Sequence, residues 1–161
     1  MADSRKTKQA LADALKQQLK TRPFSSVSIA HICAPCGISR KSFYYHFHDK
    51  YDLVNWIFQT EWLDMHAITT VQDLSDLCGY LYENRDFYRK VLCVREGNDF
   101  GGYLHGRCRT ALIGPCDEFC ATFYADALLC AIKRWLCSRP VSDPQEFAAQ
   151  LNTCIKKGRD S

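Results

Sequence analysis

The sequence predicts an all-α protein, with an N-terminal helix-turn-helix head followed by a helical body. Three observations carry that prediction. Apolar residues recur every three to four positions along most of the chain. Helix-starting and helix-stopping residues fall between those stretches. Only 8 Gly and 5 Pro occur in 161 residues, too few for a turn-rich β chain. A chain of 18.5 kDa can bury a core without disulfide staples. With 47% hydrophobic and 24% charged residues, global disorder is excluded.

The first helix spans residues 4 to 21, with Leu11, Leu15 and Leu19 on one face and Ala10 and Ala14 beside them. Pro23 ends it. Ser28 can cap a short second helix running to about Cys36, and Gly37 supplies a left-handed turn. Ser39 can cap a third helix, residues 40 to 47. A fourth starts near Asp49 and runs through Leu53, Trp56 and Ile57 to about His66. Residues 71 to 93 read as helix bent near Asn84, and EGNDFGG at 96 to 102 as a turn-rich break. A helix of about 103 to 112 then ends at Gly114-Pro115. A long apolar helix, 117 to 138, opens on Asp117 and Glu118 and closes on Lys133, Arg134 and Arg139, as the helix dipole favours. The break at Arg139-Pro140 precedes a last helix, capped by Asp143 with Pro144 at its first position. It carries Phe147, Leu151 and Ile155.

Charge divides the chain. Residues 1–50 hold nine Lys/Arg against three acids, whereas the other 111 residues hold twelve against fifteen. A basic first third on a mildly acidic body suits a polyanion-binding head on a separate body. We therefore divide the chain into a head, 1–50, and a body, 51–161. No apolar run approaches the roughly 18 residues that span a bilayer. The polar first twenty residues lack an apolar signal core, so a cytoplasmic location without membrane attachment is expected. In that reducing setting the ten Cys are expected as unpaired small hydrophobes.

Short helix, Gly turn, short helix over residues 28 to 47 is a helix-turn-helix signature. The stretch Val27 to Leu53, VSIAHICAPCGISRKSFYYHFHDKYDL, resembles the DNA-binding head of the TetR family of bacterial transcription regulators. Ser28 stands where that family caps its second helix, and Ile32, Gly37, Ile38 and Ser39 match its turn. Ser42, Phe43, Tyr44 and Phe47 match the recognition-helix pattern, and Lys50 and Leu53 the start of the fourth helix. Pro35, Cys33 and Cys36 depart from the pattern, and Pro35 is expected to bend or shorten the second helix.

A recognition helix reads base edges from one face, through its N-terminal residues. Arg40 and Lys41 sit there, and Arg binds guanine bidentately. Tyr45 offers a ring to a thymine methyl, or a hydroxyl. Ser28, Ser42, Tyr44, His46 and Lys50 are candidate phosphate anchors, which set register rather than sequence. Lys50 would act beside backbone N–H groups at the start of the fourth helix. Phe43 and Phe47, four apart, are expected in the core.

The resemblance implies a body that dimerises and receives a signal. One short recognition helix reads few bases, so two related by symmetry are also a physical need. Phe123, Ala127, Cys130, Ala131 and Arg134 form one candidate interface stripe, with Phe147 and Leu151 on the partner helix. The same stripes could face the protomer's own core. Three body stretches, Tyr80 to Arg89, Asp99-Phe100 with Tyr103-Leu104, and Phe123-Tyr124 through Arg134 to Leu136, are similar to a short TetR subgroup. It includes activators of dihydroxyacetone kinase operons, which act with a coregulator protein. The resemblance thus implies control by a small-molecule inducer or by a protein. Trp56, Trp62, Tyr80, Tyr88, Tyr103 and Phe123 are candidate pocket residues, though rings at helical spacing also build ordinary core.

Two other readings stand beside this one. Cys33 and Cys36 spell C-x-x-C, so a thiol- or metal-sensing regulator is possible. The pair lies near a helix C-terminus, whose dipole opposes thiolate formation, and no second C-x-x-C completes a zinc site. A protein adaptor that does not bind DNA is the other. No nucleophile elbow, phosphate-binding Gly loop or metal-ligand set appears, so neither enzyme activity nor a cofactor is expected.

Overall fold

The computed structural model describes residues 2–68, 71–92, 99–113, 117–139 and 141–159. Among them every regular element is helical. Helix α1 (Ala2–Thr21) buries Leu11, Leu15 and Leu19 with Ala12 and Ala14, the face its periodicity marks. A 3₁₀ turn at Phe24–Ser26 leads into α2 (Ile29–Cys33) and α3 (Arg40–His46). Helix α4 (Lys50–Phe58) buries Leu53, Val54, Ile57 and Phe58. The body adds α5 (Val71–Glu83), α6 (Arg85–Leu92), α7 (Asp99–Ile113), α8 (Glu118–Cys137) and α9 (Pro144–Arg159).

The head and body share one core. Helix α1 packs on α2, α3 and α4 and also on α6, while α7 lies along α8 and α5 along α9. Phe58 sits at the centre, with the rings of Trp62, Tyr88 and Phe100 at 5.6, 6.1 and 5.4 Å. Offset and edge-on ring packing of this kind adds about 0.5–1.5 kcal/mol per pair beyond burial.

Several boundaries follow from local chemistry. Asp117 caps α8 by accepting from Cys120 N–H at 2.8 Å. Asp143 caps α9 through the N–H groups of Gln145 and Glu146, with Pro144 in the first turn, where it has no donor to lose. The α5–α6 break falls at Asn84, whose side-chain amide donates to Tyr80 O at 3.0 Å.

Four expectations change. Residues 99–102 open α7 rather than a turn, because Phe100 is wholly buried and draws the two glycines into a helix. Residues 96–98, Gly114-Pro115 and Pro140 lie outside the described residues, as do Cys93 and Cys116. The fourth helix stops short of His66 and ends in a π-helical turn, Gln59–Leu63, where Asp64 N–H reaches back to Gln59 O at 2.8 Å. On α9, Phe147 stacks on Trp135 at 4.4 Å and Leu151 packs against the core, so this half-buried stripe makes contacts within its own protomer. Cys137 is disulfide-bonded, which spacing along the sequence does not signal.

Burial pushes the Cys78 thiol up to about 12 and Cys108 up to about 11, and lifts the Tyr80 and Tyr88 hydroxyls well above their ordinary value. In the unfolded chain these groups ionise near 8.5 and 10. The folded state holds their protons to higher pH, so this stability is complete below about pH 8 and declines as pH rises through about 8–12. Alkaline titration followed by circular dichroism and tyrosinate absorbance should show the last tyrosines ionising together with helix loss. Complete tyrosinate formation in a helical protein would contradict the assignment.

Candidate DNA interface

The interface is built from α2, a glycine turn and α3. Ser28 starts α2 with a reciprocal cap, its Oγ accepting from His31 N–H and its own N–H donating to His31 Nδ1, both at 3.3 Å. His31 therefore takes the place usually held by Glu or Gln in a capping box. The Ser28 hydroxyl proton stays available to an acceptor outside the protein. On the other side of the ring, Nε2 lies 3.2 Å from Arg22 Nη1. A neutral imidazole has one acceptor, so it serves Ser28 or Arg22 but not both.

Pro35 shortens α2, as its missing donor requires. The α-helix stops at Cys33 and the chain tightens to 3₁₀ over Ala34–Cys36. Gly37 then adopts φ 64°. Its N–H reaches Ala34 O at 3.3 Å and that of Ile38 reaches Cys33 O at 3.2 Å, which closes the helix end. Open space surrounds the Gly37 α-carbon, so the backbone angle selects glycine here.

Ser39 caps α3 by accepting from Ser42 N–H at 3.0 Å. Phe43 and Phe47 point inward, 5.7 Å apart, and Phe47 packs on Trp56 at 5.9 Å. Their burial fixes which face of α3 turns outward. Arg40, Lys41, Tyr44 and Tyr45 stand on that face, with Tyr44 53% and Tyr45 84% exposed. Ser42 and His46 flank it, half-buried.

Lys50 takes a different place from the one its sequence position suggests. Its Nζ donates to Phe24 O and Val27 O at 2.8 and 2.9 Å and lies 4.6 Å from the Phe24 ring centre. Desolvation lowers its pKa, with Asp49 acting against the shift. The N–H groups at the start of α4 are occupied as well, since Asp49 Oδ1 accepts from Tyr51 and Asp52 at 2.8 and 2.9 Å. Lys50 thus ties the loop before α2 to α4, in place of the expected phosphate contact.

The two head cysteines are structural. Cys36 Sγ donates to Ile32 O and Cys33 O, and burial raises the pKa of the Cys33 thiol, with Cys36 adding to it. Thiolate chemistry needs the opposite shift. Among the described residues, no three His, Cys, Asp or Glu side chains group as metal ligands.

The candidate body residues separate. Trp62, Tyr80 and Tyr88 share one cluster, where Tyr80 Oη lies 2.8 Å from Tyr88 Oη. Tyr103 stands at its edge and donates to Gln59 Oε1 at 2.7 Å. Trp56 lies apart, against the head's Phe47 and under Lys8. Phe123 is 60% exposed on α8, which removes it from any interior pocket. Ala127, Cys130 and Arg134 are exposed with it, and Ala131 is half-buried. Sequence reasoning missed Phe119, 83% exposed one turn before Phe123. It also missed His31 and Arg22, for which the Ser-x-x-His spacing was the available signal.

Residues 8–57 match the family model of bacterial regulatory proteins, tetR family, and residues 69–157 match that of a transcriptional regulator C-terminal region. The chain belongs to the TetR family of bacterial transcriptional regulators. It is similar to the HTH-type dhaKLM operon transcriptional activator DhaS of Lactococcus lactis subsp. lactis (strain IL1403), 27% identical over 98 residues. That match takes in 55% of this chain and 50% of DhaS, so the aligned part spans about half of the relative. Two solved structures share the fold. The dihydroxyacetone kinase operon activator DhaS superposes with a TM-score of 0.66 at 18% identity, covering 96% of each chain. NalD of Pseudomonas aeruginosa, the secondary repressor of the MexAB-OprM multidrug efflux pump, gives 0.60 at 22%, covering 97% of this chain and 96% of its own. These relatives are transcriptional regulators, not enzymes. Among the described residues no helix is long and apolar enough to cross a membrane.

Lys50→Met should lower unfolding free energy by about 1–2 kcal/mol, the scale of lost charge-assisted hydrogen bonds at a partly exposed site. The salt dependence of DNA binding should stay unchanged. Denaturant unfolding and a salt titration check both; unchanged stability with a flatter slope would return Lys50 to the phosphate contacts.

Proposed function

We propose that this TetR-family regulator acts as a homodimer on a two-fold symmetric operator, controlled through its body by a small molecule or a coregulator protein. The outward face of α3 carries the reading. Two basic residues and two largely bare tyrosines share one helical face, while Phe43 and Phe47 lock the opposite face in the core. Arg40, Lys41 and Tyr45 are the base readers. Ser28, Ser42, Tyr44 and His46 hold phosphates, and Arg22 joins them at the edge of α2. The head occupies residues 1–50 and the body 51–161, with α4 beginning at the boundary.

For the dimer, the α8 stripe of Phe119, Phe123, Ala127, Cys130 and Arg134 supports the reading, because exposed aromatics in a row favour a partner surface. Symmetric pairing would set two α3 helices on half-sites about 34 Å apart. DhaS is named as an operon activator and NalD as a repressor, so this scaffold serves both signs of control. The similarity to DhaS favours activation for this chain.

Selection of bound sequences from a random duplex pool tests the reading. A two-fold symmetric motif should emerge, with affinity falling steeply as salt rises. Arg40→Ala should relax preference at one position per half-site, at about 1–3 kcal/mol. A folded dimer that enriches no sequence would overturn the proposal, and an unchanged motif would remove Arg40 from the readers.

A further inference from the structure

A cleft of about 580 Å³ lies where the head's α1 meets the body's α6. Leu19 and Phe87 give it an apolar floor. Lys16, Lys20, Arg89, Lys90 and Arg139 surround that floor, against two acids, Glu83 and Asp86. Both acids are exposed.

The cations divide by what they already hold. Lys90 Nζ donates to Leu19 O, and Arg89 Nε donates to Leu136 O at 3.1 Å while its Nη2 lies 3.9 Å from the exposed carboxylate of Asp86, so α6 fastens the C-terminal ends of α1 and α8. Lys16 pairs with Glu61. Among the described residues, Lys20 and Arg139 have no carboxylate partner, and both are exposed at the cleft. Those two, reinforced by the fixed charge of Lys90 behind them, form an arrangement that attracts a small anion. The volume is within the range of small-molecule sites.

We propose that this cleft binds a small organic anion, a phosphate ester or carboxylate whose carbon body lies on Leu19 and Phe87 and whose charge meets Lys20 and Arg139. This inference rests on the reading of the chain as a ligand-controlled regulator, and supplies a site for the control. One wall is head and the other body, so an occupant joining them fixes the angle of α1 and thereby the separation of two α3 helices in a dimer. Coupling of this kind commonly changes affinity at the second site by about 5–150-fold.

Amide NMR titration of the full-length protein with phenyl phosphate, and with phenol as the uncharged control, tests the site. The phosphate should give saturating shifts centred on residues 16–21 and 84–90, and phenol none. Lys20→Gln with Arg139→Gln should weaken that binding at least about tenfold, through loss of two charge-assisted contacts. The double variant should keep wild-type DNA affinity without ligand. Non-saturating shifts, shifts confined to α3, or unchanged binding in the double variant would overturn the site. With chloride adjusted to hold ionic strength constant, saturating phenyl phosphate should alter wild-type operator affinity about fivefold or more; equal affinity would overturn its regulatory role. If no DNA sequence is enriched while phenyl phosphate binds here, the regulator reading fails and the site stands.

Discussion

Glu61 joins the head's first helix to the ring cluster of the body. Its carboxylate lies 2.5 Å from Lys16 Nζ on α1, and its second oxygen accepts from Tyr80 Oη at 3.2 Å. Tyr80 has one hydroxyl proton, given to Glu61, so it accepts from Tyr88 across 2.8 Å. The chain of contacts runs from the head's long helix, through the end of α4, into α5 and α6. Tyr88 is almost wholly buried, and a buried hydroxyl without a partner costs about 1–3 kcal/mol. The packing of Phe58, Trp62 and Phe100 around these rings therefore requires the polar chain through them. The Lys16–Glu61 pair is itself partly exposed and contributes little alone. It matters because it ends that chain on the head.

The π turn makes this geometry available. A wider turn at Gln59–Leu63 directs Glu61 toward α1 and lets Gln59 receive the Tyr103 hydroxyl. Such turns concentrate at functional places in helices. Here it lies where the segment that matches the helix-turn-helix family model passes into the helical body. Helix α4 starts at Lys50, capped by Asp49, in the head and ends with Phe58 among the body's rings.

Much of the fold was legible because its signals are local. Ser28, Ser39, Asp117 and Asp143 cap helices where their residue types favour it, and Gly37 is left-handed where a helix must stop. Phe43 and Phe47, four apart, identify the buried face of α3 and so the exposed one. What the sequence left open depends on contacts between distant residues. The motif position of Lys50 points to the DNA, yet three carbonyls 23–26 residues earlier hold it. Phe147 and Leu151 have a periodicity that fits either an interface or a core, and only the stacking of Phe147 on Trp135, a contact between distant residues, gives that periodicity a partner within the protomer. The α7 start is not legible locally, since the glycines of 101–102 are turn-formers, while burial of Phe100 is a tertiary fact.

On the proposed reading, the exposed face of α3 enters the major groove twice, once from each half of a dimer. Methylation interference at guanine N7, which lies in the major groove, tests it on the preferred duplex. Two interfering clusters are expected, related by two-fold symmetry and separated by about 34 Å or a multiple of it. Both should be lost together when Arg40 and Lys41 are replaced by alanine. A single cluster, or binding indifferent to N7 methylation and sensitive only to the minor groove, would contradict it.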